Sequence, residues 1–166
     1  MLGIIGSRFS IGKETYHPFA AELHYFRIEK KYWSICFERI RRAGYRIIST
    51  AVPWNIHQDN LTKSFDFSGQ SDPRKDLVVF LELAREFGFK VILRPGPLVF
   101  GQLENAGLPK HIFNDSKVFA RNAEGQEIKM PSDVGVETGF LPSPLHSNFQ
   151  YYLRSYFKAF IEISKN

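Results

Sequence analysis

Three short apolar runs alternate with two segments of helical period, and this constrains the fold more than anything else in the chain. The runs are 19–28, 45–52 and 89–94. Each is short enough for a buried strand, and the second, Tyr45-Arg46-Ile47-Ile48-Ser49-Thr50-Ala51-Val52, is rich in β-branched residues. Between the first two, residues 30–43 place Trp33, Phe37, Ile40 and Ala43 on one helical stripe with Cys36 beside it. Before the third, Leu77, Phe80, Leu81, Ala84 and Phe87 repeat that spacing. Gly44 and Gly88 follow the two helices as stop signals, and Pro73 is set at a helical first position behind Ser71 or Asp72 as cap. Strands that alternate with helices pair in parallel through right-handed crossovers. An open doubly wound sheet and part of a (β/α)8 barrel both satisfy this order.

The flanking segments read differently. Arg8–Ile11 and Thr15–His17 bracket Gly12-Lys13-Glu14 and predict a hairpin. Residues 55–71 read as a loop. Residues 98–147 carry little periodicity and many Gly, Pro and Asn, the mark of a long functional loop after a strand. A short helix near Leu108–Phe113 and a strand pair around Glu124-Gly125 are expected inside it. Phe149, Tyr152, Leu153, Tyr156, Phe157 and Phe160 then predict a helix over 148–164.

Length and composition narrow the class. With 166 residues, 43% of them hydrophobic and 16 of them Phe, the chain suits one domain with a real core rather than a disordered segment. The net charge of +5 comes from dispersed Lys and Arg, which read as a solvated surface. No basic stripe or motif supports a nucleic-acid partner. No apolar run reaches the roughly 18–20 residues that cross a bilayer, so no membrane association is expected. No secretory signal opens the sequence, and the single cysteine, Cys36, fits a reducing, cytoplasmic compartment. Cys36 itself reads as core packing.

The candidate chemistry gathers at the C-terminal ends of the three expected strands. Glu22, His24, Tyr25 and Arg27 lie at the first, Trp54-Asn55 at the second, and Arg94 at the third, followed by Gln102, Glu104 and Asn105. Loops that follow parallel strands converge at this end. Carboxylates, amides and aromatic rings around one mouth suit a sugar, whose hydroxyls take polar partners and whose ring face takes an aromatic platform. Each residue also has a plainer reading. Arg94 pairs with a strand-end carboxylate such as Glu22, His24 is a hydrogen-bonded core residue, Trp54 packs the loop, and Glu104 is a surface residue. His17, His57, His111 and His146 show no metal-ligand spacing, no phosphate-binding Gly motif follows a strand, and no cofactor is expected.

Several segments, in this order and spacing, resemble the start of the catalytic domain of family 35 glycoside hydrolases, the β-galactosidase family. They are His24-Tyr25-Phe26-Arg27-Ile28, Val52-Pro53-Trp54-Asn55-Ile56-His57, Phe65-Asp66-Phe67-Ser68-Gly69 and Ile92-Leu93-Arg94-Pro95-Gly96-Pro97. Tyr32-Trp33, Ala43-Gly44 and Glu104-Asn105-Ala106-Gly107-Leu108-Pro109 agree with the same pattern. The resemblance covers about residues 11–113 and fades after Asn114.

The resemblance implies an α/β fold: a partial TIM (β/α)8 barrel of about three βα units behind an N-terminal β-hairpin. Residues 1–166 would form a single N-terminal portion of the catalytic barrel, with 98–147 as its long βα loop region. It further implies retaining hydrolysis of terminal β-galactosides or related β-glycosides by two carboxylates about 5–5.5 Å apart. In the family the acid/base Glu follows an Asn at the end of the fourth strand, and the nucleophile Glu comes later. No Asn-Glu pair occurs here, so the resemblance assigns this chain no catalytic residue. It assigns substrate binding to Glu22, Tyr25, Trp54, Gly101, Gln102, Glu104 and Asn105. Gln102 stands where the family has a sugar-holding Glu, and Ala51 where it has a ligand-contacting Tyr, which leaves the sugar open.

Two functions follow as expectations. One is a portion of a glycosidase, inactive alone. The other is a non-catalytic carbohydrate-binding or interaction module. In either, the open edges of a partial sheet invite self-association or a complementing chain.

Overall fold

A computed structural model describes residues 2–99, 103–129 and 139–163. Among these residues the fold is mixed α/β, with two three-stranded sheets. The first sheet is an antiparallel meander of β1 (Leu2–Ile5), β2 (Arg8–Ile11) and β3 (Glu14–Tyr16). The expected hairpin is β2–β3, paired from Phe9 with Tyr16 to Ile11 with Glu14. β1 has no counterpart in the sequence reading, because its Leu2-Gly3-Ile4-Ile5 run is too short for alternation to show.

The second sheet has the order β4–β5–β6, formed by Ala20–Glu22, Ile47–Val52 and Lys90–Pro95. β4 and β5 run parallel, with Ala20 opposite Ile47 and Glu22 opposite Ser49. Lys90 N–H donates to Arg46 O, and Gly96 N–H donates to Val52 O, so β5 and β6 also advance together. The intervening helices are α1 (Trp33–Arg42) and α3 (Leu77–Glu86), as the periodicity predicts. Only one of the expected strands is much shorter. The run 19–28 yields three strand residues and then a 3-10 turn at Tyr25–Arg27, closed by Arg27 N–H to His24 O and Ile28 N–H to Tyr25 O.

The chain divides into two compact units. One comprises 1–51 and 68–94, the other 52–67 and 95–166. The core of the first is aromatic. Phe80 of α3 lies 5.2 Å from Tyr25, 5.4 Å from Trp33 and 5.1 Å from Phe37 between ring centroids. Trp33 donates its indole N–H to Ile28 O at 3.0 Å, which ties α1 to the chain ahead of it. The stripe is narrower than its spacing suggests, since Ala43 is exposed and Cys36 only half-buried.

Helix α3 starts in two steps. Asp72 accepts from Arg74 N–H over a 3-10 turn that Pro73 opens, and Asp76 then accepts from Val79 N–H at 3.1 Å. Asp76 is buried, and the Lys30 ammonium sits 2.5 Å from its other oxygen. Gly69 explains its place in the Phe65–Gly69 motif. Its φ is +75°, and a Cβ there would stand 2.8 Å from the Cβ of Asp76, so a larger residue would displace the cap.

In the second unit, α2 (Trp54–His57) forms inside the segment expected to be a loop. Pro53 at its N-cap is extended and starts it, and Trp54 O accepts from Gln58 N–H. α4 (Lys110–Phe113) and α5 (Ser147–Ile163) match the expected short and final helices. Arg121 and Glu127 form a bridge across a turn at Gly125, where a strand pair was expected. Phe149 and Tyr156 carry the buried face of α5, and Leu108, Ile112 and Val118 of the same unit are also buried.

Candidate functional site

The first cluster lies at the C-terminal end of β4. Glu22 is the last residue of that strand, and its side chain is 57% exposed. The side chains of β6 alternate in exposure, and Arg94 is on the exposed face with Lys90 and Ile92. From there its guanidinium Nη2 donates to Glu22 Oε1. The same oxygen lies 3.1 Å from His24 Nε2.

The tautomer of His24 follows from its other nitrogen. Ala51 N–H donates to His24 Nδ1 at 3.3 Å, and a backbone amide can only donate. Nδ1 therefore carries the lone pair and Nε2 the proton, which points at Glu22. Burial holds the imidazole below its ordinary pKa. The Arg94 and Arg27 charges push the same way, and Glu22 opposes them. Glu22 thus has two donors on one oxygen, and its other oxygen keeps acceptor capacity of the kind a hydroxyl uses. Since both ions are half-exposed, the pair positions the carboxylate more than it stabilises the fold, by about 0–1 kcal/mol.

Tyr25 is three residues past the end of this cluster's carboxylate-bearing strand yet fully buried. The sequence reading put it at an open mouth. The 3-10 turn instead aims its ring into the core, edge-on to Trp33 at 6.4 Å and tilted on Phe80.

The second unit holds the remaining described candidates. Trp54 is buried as well. Its ring stacks on Tyr156 at 5.0 Å and 19°, and its Nε1–H donates to Gln58 Oε1 at 2.8 Å. Of the two readings of Trp54, packing is the one this geometry supports. Glu104 is exposed, with Lys110 Nζ 3.7 Å from its carboxylate. Asn55 Nδ2 donates to the backbone carbonyl of Glu104 at 3.3 Å, while the buried Asn55 Oδ1 has no partner among the described residues. Asn105 and Ala106 both adopt left-handed backbone, at φ 54° and 49°. Two successive non-glycine residues there store strain of the sort found where a loop is shaped for binding. Gly101 and Gln102 lie outside the described residues.

Sequence reasoning did not single out Tyr156. Its hydroxyl donates to Val52 O at 2.6 Å and accepts from Gly96 N–H at 3.3 Å, so it holds the ends of β5 and β6. Burial pushes its ionisation above the ordinary tyrosine value. The aromatic stripe of the last helix was the available signal, but periodicity does not tell a bonded hydroxyl from an apolar ring. Among the described residues, no group of three His, Cys, Asp or Glu is placed to hold a metal ion, and no helix is long and apolar enough to cross a membrane.

Comparison with known proteins agrees with the motif pattern. Residues 8–129 match the model of the family described as Glycosyl hydrolases family 35. An exo-beta-D-glucosaminidase of Pyrococcus horikoshii is 33% identical over 130 residues, which are 78% of this chain and 16% of that protein. The human beta-galactosidase-1-like protein 2 is 36% identical over 110 residues, 66% of this chain and 16% of that protein. The beta-galactosidase of Felis catus is 32% identical over 118 residues, 71% of this chain and 17% of that protein. The chain thus spans only about a sixth of the length of these relatives.

Proposed function

This chain belongs to family 35 of the glycosyl hydrolases, and from that premise we propose that it is the N-terminal part of a retaining glycosidase barrel. Its substrates would be terminal β-galactosides or related β-glycosides such as β-glucosaminides. The parallel order β4–β5–β6 with α1 and α3 as crossovers supports the start of a (β/α)8 barrel. The observation that carries the reading is Glu22. A carboxylate at a strand's C-terminal end, fixed by Arg94 and His24 on one oxygen, suits recognition of a sugar hydroxyl. Its role is to orient the sugar. Protonation of the glycosidic oxygen and covalent capture of the glycosyl group require a carboxylate pair, of which the family's acid/base is the Glu of an Asn-Glu step and the nucleophile a later Glu, and this sequence contains no Asn-Glu step.

Purified chain is expected to show no turnover of a chromogenic β-galactoside or β-glucosaminide. It is expected to give a calorimetric binding signal with galactose or glucosamine that Glu22→Gln weakens. Turnover that disappears in Glu22→Gln or Glu104→Gln would overturn the division of labour proposed here.

The second reading, a non-catalytic sugar-binding module, draws on the same missing Asn-Glu step. Among the described residues β4 and β6 are the outer strands of their sheet, and a second copy or a complementing chain would pair there. Light scattering coupled to size exclusion tests this, since a monodisperse monomer counts against pairing.

A further inference from the structure

A cleft lies at the end of the parallel sheet opposite Glu22, within the first unit. It has a volume of about 820 Å³, inside the roughly 300–1,000 Å³ of small-ligand pockets. Its walls come from β3 and the segment before β4, and from the turns that lead from α1 into β5 and from α3 into β6. It therefore sits at the N-terminal ends of the strands, whereas Glu22 and Arg94 sit at the C-terminal ends.

Its lining pairs exposed rings with fixed polar groups. Phe19 is 68% and Tyr45 39% exposed, and His17 stacks on Phe19 at 6.5 Å and 19°. The Tyr16 hydroxyl donates to the Glu14 carboxylate, and the Lys90 ammonium lies 3.9 Å from Glu14 and 5.8 Å from the Tyr16 ring centre. Arg46 Nη1 donates to Tyr45 O at 2.8 Å and Arg41 O at 3.1 Å, which holds the guanidinium in place at the cleft.

The charges decide what kind of ligand fits. Arg46 and Lys90 together would attract an anion. Glu14 lies beside Lys90 and opposes them, and so do the C-terminal ends of α1 and α3, which carry negative partial charge. A purely apolar ligand would strip water from Glu14 and Arg46 without replacing their hydrogen bonds. A neutral, hydroxyl-rich ligand with an apolar face satisfies both, since its hydroxyls take the carboxylate and guanidinium while its ring face covers Phe19 or Tyr45. We propose that this cleft is a second carbohydrate-binding site, selective for a neutral pyranose unit and separate from the Glu22 end of the sheet.

Titration of the ¹⁵N-labelled chain with lactose, a neutral disaccharide, tests this by amide shifts. Saturable shifts are expected at Phe19, Tyr45 and Arg46. Phe19→Ala and Tyr45→Ala replace exposed rings and are expected to keep the spectrum of the folded chain while weakening those shifts roughly tenfold. Glu22→Gln is expected to leave them unchanged. No shift at these three amides, shifts confined to the Glu22 end, or unaltered affinity in both ring variants would each overturn the proposal.

Discussion

Ala51 donates its backbone N–H to His24 Nδ1 and so decides where the imidazole proton sits, on Nε2 and facing Glu22. Protonating Nδ1 would cost that bond. In the folded chain His24 is expected to show the ¹⁵N pattern of the Nε2–H tautomer and to titrate below the ordinary value of about 6.5. An Nδ1–H pattern would contradict the assignment.

The lowered value carries a sign for stability. The unfolded chain binds a proton at His24 more readily than the folded chain does, so the contribution is present above about pH 6.5 and is lost as pH falls through the folded value. His111 acts in the same direction, lowered by burial and by the Lys63 charge. Urea midpoints measured across this range are expected to fall toward acid. His24→Asn, whose amide oxygen can accept from Ala51 N–H, is expected to shallow that slope. An unchanged slope in His24→Asn and His111→Asn together would refute the linkage.

Trp54 and Gln58 are both buried, and one bond joins them. Trp54→Phe leaves the Gln58 oxygen without its donor and is expected to cost about 1–3 kcal/mol in urea denaturation. Trp54→Phe combined with Gln58→Leu should recover part of that loss, because the orphaned acceptor is then gone.

Glycine positions separate strain from crowding. Gly69 and Gly12 both have positive φ, but a Cβ at Gly12 meets nothing within 4 Å. Gly12→Ala is expected to cost about 1–2 kcal/mol from backbone conformation alone. Gly69→Ala should cost clearly more and should weaken the Asp76 cap of α3, visible as lost amide protection at Val79 in hydrogen exchange.

The two crossover helices and the strands β5 and β6 were readable because burial imposes a period on them. Phe80 illustrates this, since its spacing from Leu77 and Ala84 is the spacing that fills the core. The run 19–28 misled because aromatic content marks burial in any geometry, and here a 3-10 turn buries Tyr25 as well as a strand would. Helix α2 escaped notice because four residues complete only one turn. At the candidate site, composition marked Glu22 and left the role of Arg94 open between a plain ion pair and a site. The geometry shows the pair and adds His24 to it. That relation depends on strand register, which no local pattern in the sequence contains.

Tyr156 bonds to Val52 across 104 positions of sequence and closes on Gly96 across 60. Ordering a loop of that span costs entropy before any contact repays it. As the chain is synthesised, the carbonyl of Val52 and the amide of Gly96 emerge long before the hydroxyl that serves them, and water must hold both until α5 arrives. The last helix is thus the latch of this unit, and the nascent strand ends are exposed to mispairing for as long as it is still being made.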